Sequence, residues 1–177
     1  MTEQDDAISD RRRLLIEHLW RYYDENAAQA RHHDDQREKA ASLIVAISAA
    51  VAAVAASDGL QRVDAPAGAL VIALGILGAV ATLKHYERSR LHTKILGAAR
   101  VAAESAIRGS SDVPAPGQIR AGAEQDHAAS FRWWRKGSPR IANGHWPVNS
   151  FLNRYWLAID SLIAAMGVWI LIASLSD

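Results

Sequence analysis

The chain has 177 residues, with 20 Lys and Arg against 19 Asp and Glu, a net charge of +1 and no Cys. Near-neutrality argues against a general polyanion binder, and the lack of Cys excludes disulfides and thiolate metal sites. Half of the residues are hydrophobic and mean hydropathy lies near zero, values ordinary for one globular domain, but the apolar residues are gathered in blocks.

Thr2–Asp10 is acidic and is expected to fray. From Arg11 the pattern is helical, with Leu15, Leu19, Tyr22 and Asn26 recurring at spacings of three and four. No signal-peptide pattern precedes the first apolar run. His32-His33-Asp34-Asp35 suggests a metal site, but neighbours on a helix point about 100° apart, so four in a row cannot converge on one ion. A solvated charged face is the better reading. No metal or cofactor site is predicted.

Charge then stops. Between Lys39 and Asp58 lies an Ala-rich run, Ala40–Ser57, with no Pro or Gly before Gly59. The helix is therefore predicted to continue from the charged segment into this run and to end at Asp58-Gly59, a common cap and turn pair. Small residues fill two of its faces: Ser42, Ala46 and Ala50 on one, Ala49, Ala53 and Ser57 on another. Such faces allow close helix approach in lipid. One face is expected to pack within the chain, and the excess points to oligomerisation or to the lining of a narrow pore.

A short link leads to a second run, Ala65–Leu83, with Pro66 in its first turn, where a helix tolerates proline. It adds Gly75 with Ala79, and Gly78 with Thr82, as further packing or pore-lining candidates. Runs of about 18–20 residues rise about 27–30 Å, the thickness of a hydrocarbon core. The helical pattern then continues through LKHYERSRLHTKILGAARVAAESAIRG, with an apolar or small face at Leu91, Ile95, Ala98, Ala102 and Ala106. Leu15, Leu19 and Tyr22 are predicted to pack on it, and His85 and His92 either pair with the first stalk or stay solvated.

Gly109–Ser130, with Pro114, Pro116, Gly117 and Gly122, reads as a linker. Phe131, Trp133 and Trp134 interleave with Arg132, Arg135 and Lys136. Just upstream of a span, these suit an anionic headgroup interface better than nucleic acid, and a pocket for an anionic signalling molecule remains open. No nucleic-acid partner is predicted. The third run, Trp156–Ser176, contains one charge, Asp160, about one turn inside. Near the Tyr155-Trp156 pair, it reads as an interfacial or helix-pairing acid rather than a proton or ion site. Trp156 and Trp169 join Trp133 and Trp134 as interfacial anchors.

The cations decide the solvent. With three spans, every Lys and Arg except Arg62 falls on one side. The positive-inside rule puts the N-terminus and the middle segment in the cytoplasm and the C-terminus outside. The expected fold is therefore an all-α integral membrane protein with three transmembrane helices and cytoplasmic stalk extensions. Its parts are an N-terminal cytoplasmic helix (1–39), a transmembrane hairpin (40–83, spans about 40–57 and 65–83), and a cytoplasmic helical extension (84–108). A linker with the aromatic-basic interfacial segment (109–154) and the third span (155–177) follow. No nucleophile elbow, phosphate loop, HExxH or carboxylate pair in an apolar context is present, so nothing points to an enzyme.

YYDENAAQARHHDDQREKAASLIV, followed by a short-linked second span and LGILGAVATLKHYERSRLHTKILGAAR, resembles the SLATT-type small membrane proteins of bacteria. The resemblance covers roughly Trp20–Ala106. It implies an effector of a bacterial conflict or antiphage defence system, made to perturb or permeabilise the membrane by a nucleotide or protein trigger; with the residue readings above, the expected protein is an oligomer in the bacterial inner membrane, in contact with its lipids. The third span departs from the two-span pattern. The competing expectation is a non-conducting membrane scaffold whose stalks recruit a cytosolic partner.

Overall fold

The structure is a computed structural model describing residues 3–130 and 150–176, with side chains described for 9–129 and 154–176. All regular structure among the described residues is helical: α1 (Glu3–Ala55), a 3-10 turn (Arg62–Asp64), α2 (Ala65–Ile107), α3 (Pro116–Ser130) and α4 (Ser150–Ser176). Among the described residues, three helical stretches are long and apolar enough to cross a membrane: Ser9–Ala55, Arg62–Ile107 and Arg154–Ser176. The described chain divides into two compact units. One holds α1 up to His33, α2 from Glu87, and α3; the other holds α1 from Asp34, α2 up to Tyr86, and α4.

The ends of the helices follow from local chemistry. Beyond Ala55 the chain leaves α1 through a turn, and Gly59 takes φ +82°, a left-handed conformation that glycine adopts without a Cβ penalty. The link is braced by the Gln61 backbone N–H donating to Asp64 Oδ2 at 2.9 Å. α2 ends in a Schellman arrangement: Ser110 N–H reaches Ser105 O, Gly109 N–H reaches Ala106 O, and Gly109 takes φ +84°.

In the first unit Leu15, Leu19 and Tyr22 meet Leu91 and Ile95 in one core, as the sequence predicts, joined by Ala99, Ala102, Ala103 and Ala106. Ala98, expected on this face, is exposed instead. The linker expectation for Gly109–Ser130 is corrected, because Pro116–Ser130 is a helix. Pro116 occupies its first position, where a missing N–H costs nothing, and the Ala115 N–H donates to Gln118 Oε1 at 3.0 Å, half of a capping box. Ile119, Ala123 and His127, one turn apart in succession, turn inward, and Ile119 and Ala123 complete the core.

In the second unit Ile44, Val71 and Ile163, one from each helix, form the buried apolar centre, with Val51, Leu74, Ile159 and Met166 around it. α4 begins at Ser150, and its stretch long and apolar enough to cross a membrane, Arg154–Ser176, starts beside the expected span bound of 155.

Candidate functional site

The inward face of α1 in the second unit is Arg37, Ala41, Ile44, Ser48 and Ala55, all buried. This spacing follows one stripe of a 3.6-residue helix. Ser42, Ala46, Ala49, Ala50, Ala53 and Ser57 are all exposed on the outer surface of the chain. The expectation that one of their two faces packs inside the chain is therefore corrected. At about 100° per residue both faces lie opposite the Ile44 stripe, which does the inward packing instead.

Gly75 and Gly78 have the reverse fate. They are buried against α4, so they line no contact between chains in this arrangement. A Cβ on Gly75 would lie 2.6 Å from Ala164 N and 2.8 Å from Asp160 O; on Gly78 it would collide with Asp160 Oδ1. Gly68 and Gly167 extend the seat. A Cβ on Gly68 would come within 2.7 Å of Leu171 N, and one on Gly167 within 2.6 Å of Ile72 N. Here the two backbones touch with no side chain between them, the close approach that small residues permit. Gly68 and Gly167 were not singled out in the sequence, although their heptad-like offset from Gly75 and Asp160 was a usable signal.

Asp160 sits in this seat, 1% exposed, between helices rather than facing outward. Of its two sequence readings as a structural acid, helix pairing is the one that this burial between helices fits. Thr82 Oγ1 donates to Asp160 Oδ2 at 2.9 Å, tying α2 to α4. Asp160 Oδ1 points at Gly78 and has no hydrogen-bond partner among the described residues.

The first unit holds a second polar cluster. Asn26 is buried on α1; its Nδ2 donates to Tyr22 O at 2.8 Å, which turns its Oδ1 toward His92 Nδ1 at 3.0 Å. Because Oδ1 only accepts, His92 donates through Nδ1–H. His33 stacks on His92, ring centroids 5.5 Å apart. His92 thus pairs with the first stalk, while His32 stays exposed and Asp34 meets Arg37 at 3.3 Å. Burial, then His33, Arg120 and Arg88, hold the His92 imidazole below its ordinary range. Burial also lowers His127, against the opposing pull of Glu87 at 3.6 Å. No group of three or more His, Asp or Glu gathers as a metal site among the described residues.

An open groove of about 600 Å3 lies between α2 and α3, lined by Gly97, Ala98 and Val101 on one side and by Gln118 and Gly122 on the other. Tyr155 and Trp156 form an edge-to-face pair at 5.4 Å, and Trp169 is 61% exposed on α4. Arg132, Trp133, Trp134, Arg135 and Lys136 lie outside the described residues. Comparison with protein-family models, with curated proteins and with solved structures finds no match.

Proposed function

We propose that this protein is an oligomerising bacterial inner-membrane effector, which perturbs or permeabilises the membrane when triggered from the cytoplasmic side by a nucleotide or a protein. The observation that carries the reading is the placement of the six small residues of α1. Ser42, Ala46, Ala49, Ala50, Ala53 and Ser57 all remain on the outer surface while a different stripe satisfies the chain's own packing. A small-residue face left open on a span-length helix suits association with a second copy, since close backbone approach is what drives helix pairing in lipid. The sorting of cations supports insertion with the N-terminus in the cytoplasm and the C-terminus outside. The resemblance to SLATT-type proteins supports the conflict-system setting.

The test is membrane potential in bacteria on induced expression, wild type beside Ala50→Leu, with equal insertion confirmed. Ala50 is exposed, so a larger side chain there leaves the chain's own core untouched. The effector reading predicts depolarisation by wild type and its loss in Ala50→Leu; equal depolarisation by both would reject packing through this face. The second reading, a scaffold that recruits a cytosolic partner through its stalks, draws on the open groove between α2 and α3. In that case exchange of the apolar segments for unrelated span-length helices preserves function.

A further inference from the structure

We propose that α3 is a proton-released strap: it closes over two imidazoles, His92 of α2 and its own His127, and acidification around the first unit lifts it from α2. The movement itself needs no membrane; as a trigger, a proton acting beside a nucleotide or protein, it rests on the membrane-effector reading. α3 belongs to the first unit alone, whereas α1 and α2 each continue into the second. Its apolar hold is narrow. Ile119 and Ala123 are its buried apolar residues, set in one core with Leu91, Ile95, Ala99 and Ala102, and the groove of about 600 Å3 lies open along its seam with α2.

The polar side of the same contact titrates. His92 is faced by His33 from α1, by Arg88 from its own helix and by Arg120 from α3, and Arg120 is itself paired with Glu124 at 2.8 Å. His127, 8% exposed, meets Glu87 of α2 at 3.6 Å; Lys94 and Arg88 of α2 also act on it, and Asp126 of α3 acts on Lys94. Burial is the first cause that holds both rings below 6.5, and at His127 it outweighs the pull of Glu87. Lifting α3 returns the rings to water and takes Arg120 away from His92. Below 6.5 the lifted state therefore takes up protons that the seated state does not. Each ring favours lifting by up to about tenfold per pH unit, until the pH reaches the value of that ring in the seated state. His92 donates to Asn26 through Nδ1–H whether or not the ring is charged, so this tie between α1 and α2 does not depend on the proton. α3 is the element that leaves.

The experiment reads hydrogen exchange on the full chain in lipid nanodiscs, from above to below pH 6.5, with protection corrected for the intrinsic pH dependence of exchange. Residues 117–130 of α3 are expected to lose protection as pH falls, by up to about tenfold per pH unit for each ring, while residues 14–27 of α1 keep theirs. His92→Gln with His127→Gln should remove the fall. If that double variant fails to seat α3 even at neutral pH, Arg120→Gln answers the same question. It is an exposed change that takes one facing charge from His92, and it should shrink the total loss of protection. Protection of α3 that is flat across 6.5, or that falls equally in Arg120→Gln, overturns the strap. An equal fall in residues 14–27 also overturns it, because the unit then loosens as a whole. Dye release from vesicles of phosphatidylethanolamine and phosphatidylglycerol, measured on the same chain, separates the two readings. Lifting of α3 without dye release upholds the strap and removes the permeabilising reading. Dye release that ignores pH upholds permeabilisation and removes α3 as its trigger.

Discussion

At the scale of single residues, the chain places polar groups where they must be satisfied by one specific neighbour. His92 is the clearest case in the first unit. Its imidazole is held below 6.5 by burial first, and then by His33, Arg120 and Arg88. Between that lowered value and 6.5 the unfolded chain binds more protons than the folded one. The contribution to stability is therefore complete above 6.5 and is lost as pH falls through the folded value. Thermal unfolding followed by circular dichroism is expected to show a midpoint that falls as pH is lowered below 6.5. His92→Gln, which can still donate to Asn26 but does not titrate, should flatten that fall in part; an unchanged slope would show that His92 has no share in it. Spacing alone left His92 open between pairing and solvent, because the partner lies 66 positions away. Asp160 was similarly ambiguous: its depth along α4 was legible, but the direction it faces depends on which side of α4 meets the glycines of α2.

At the scale of elements, the helices were legible wherever composition changed sharply. The silence between Lys39 and Asp58 marked the apolar half of α1, and Asp58-Gly59 marked its end. α3 was missed because two Pro and two Gly between Pro114 and Gly122 looked like linker punctuation. The signal that should have outweighed them was positional: Pro116 at a helix start, Gln118 two residues on, and Ile119, Ala123 and His127 four apart. Pro66 is the parallel case, in the first turn of α2. Gly122 lies in the interior of α3, where glycine is unfavourable, and a Cβ there would meet nothing within 4 Å. Gly122→Ala is expected to stabilise the first unit by about 0.5–1 kcal/mol, by reducing the freedom of the unfolded chain at no steric cost. Denaturant unfolding of the full chain measures this, and a loss of stability would mean that the groove beside Gly122 closes on something bulky.

At the scale of the whole molecule, the account turns on how small residues are divided between inner and outer surfaces. Four glycines of α2 and α4, Gly68, Gly75, Gly78 and Gly167, are consumed within the chain, although Ala69 and Ala73 of α2 and Ala158 and Ala165 of α4 face outward. The small residues of α1 at Ser42, Ala46, Ala49, Ala50, Ala53 and Ser57 are not consumed within it. The sequence showed that there were more small faces than one hairpin needs, and it did not show which face would be left over. That choice is made by Ile44, whose bulk fills the centre with Val71 and Ile163 and so turns the alanines outward. The most direct measurement is cysteine cross-linking between copies in native membranes, with single substitutions along α1. Cysteines at Ala46, Ala50 and Ala53 are predicted to form bridges between copies, while cysteines at Ala41, Ser48 and Ala55 form none. Bridges at the second set, or none at the first, would contradict association through the outward face.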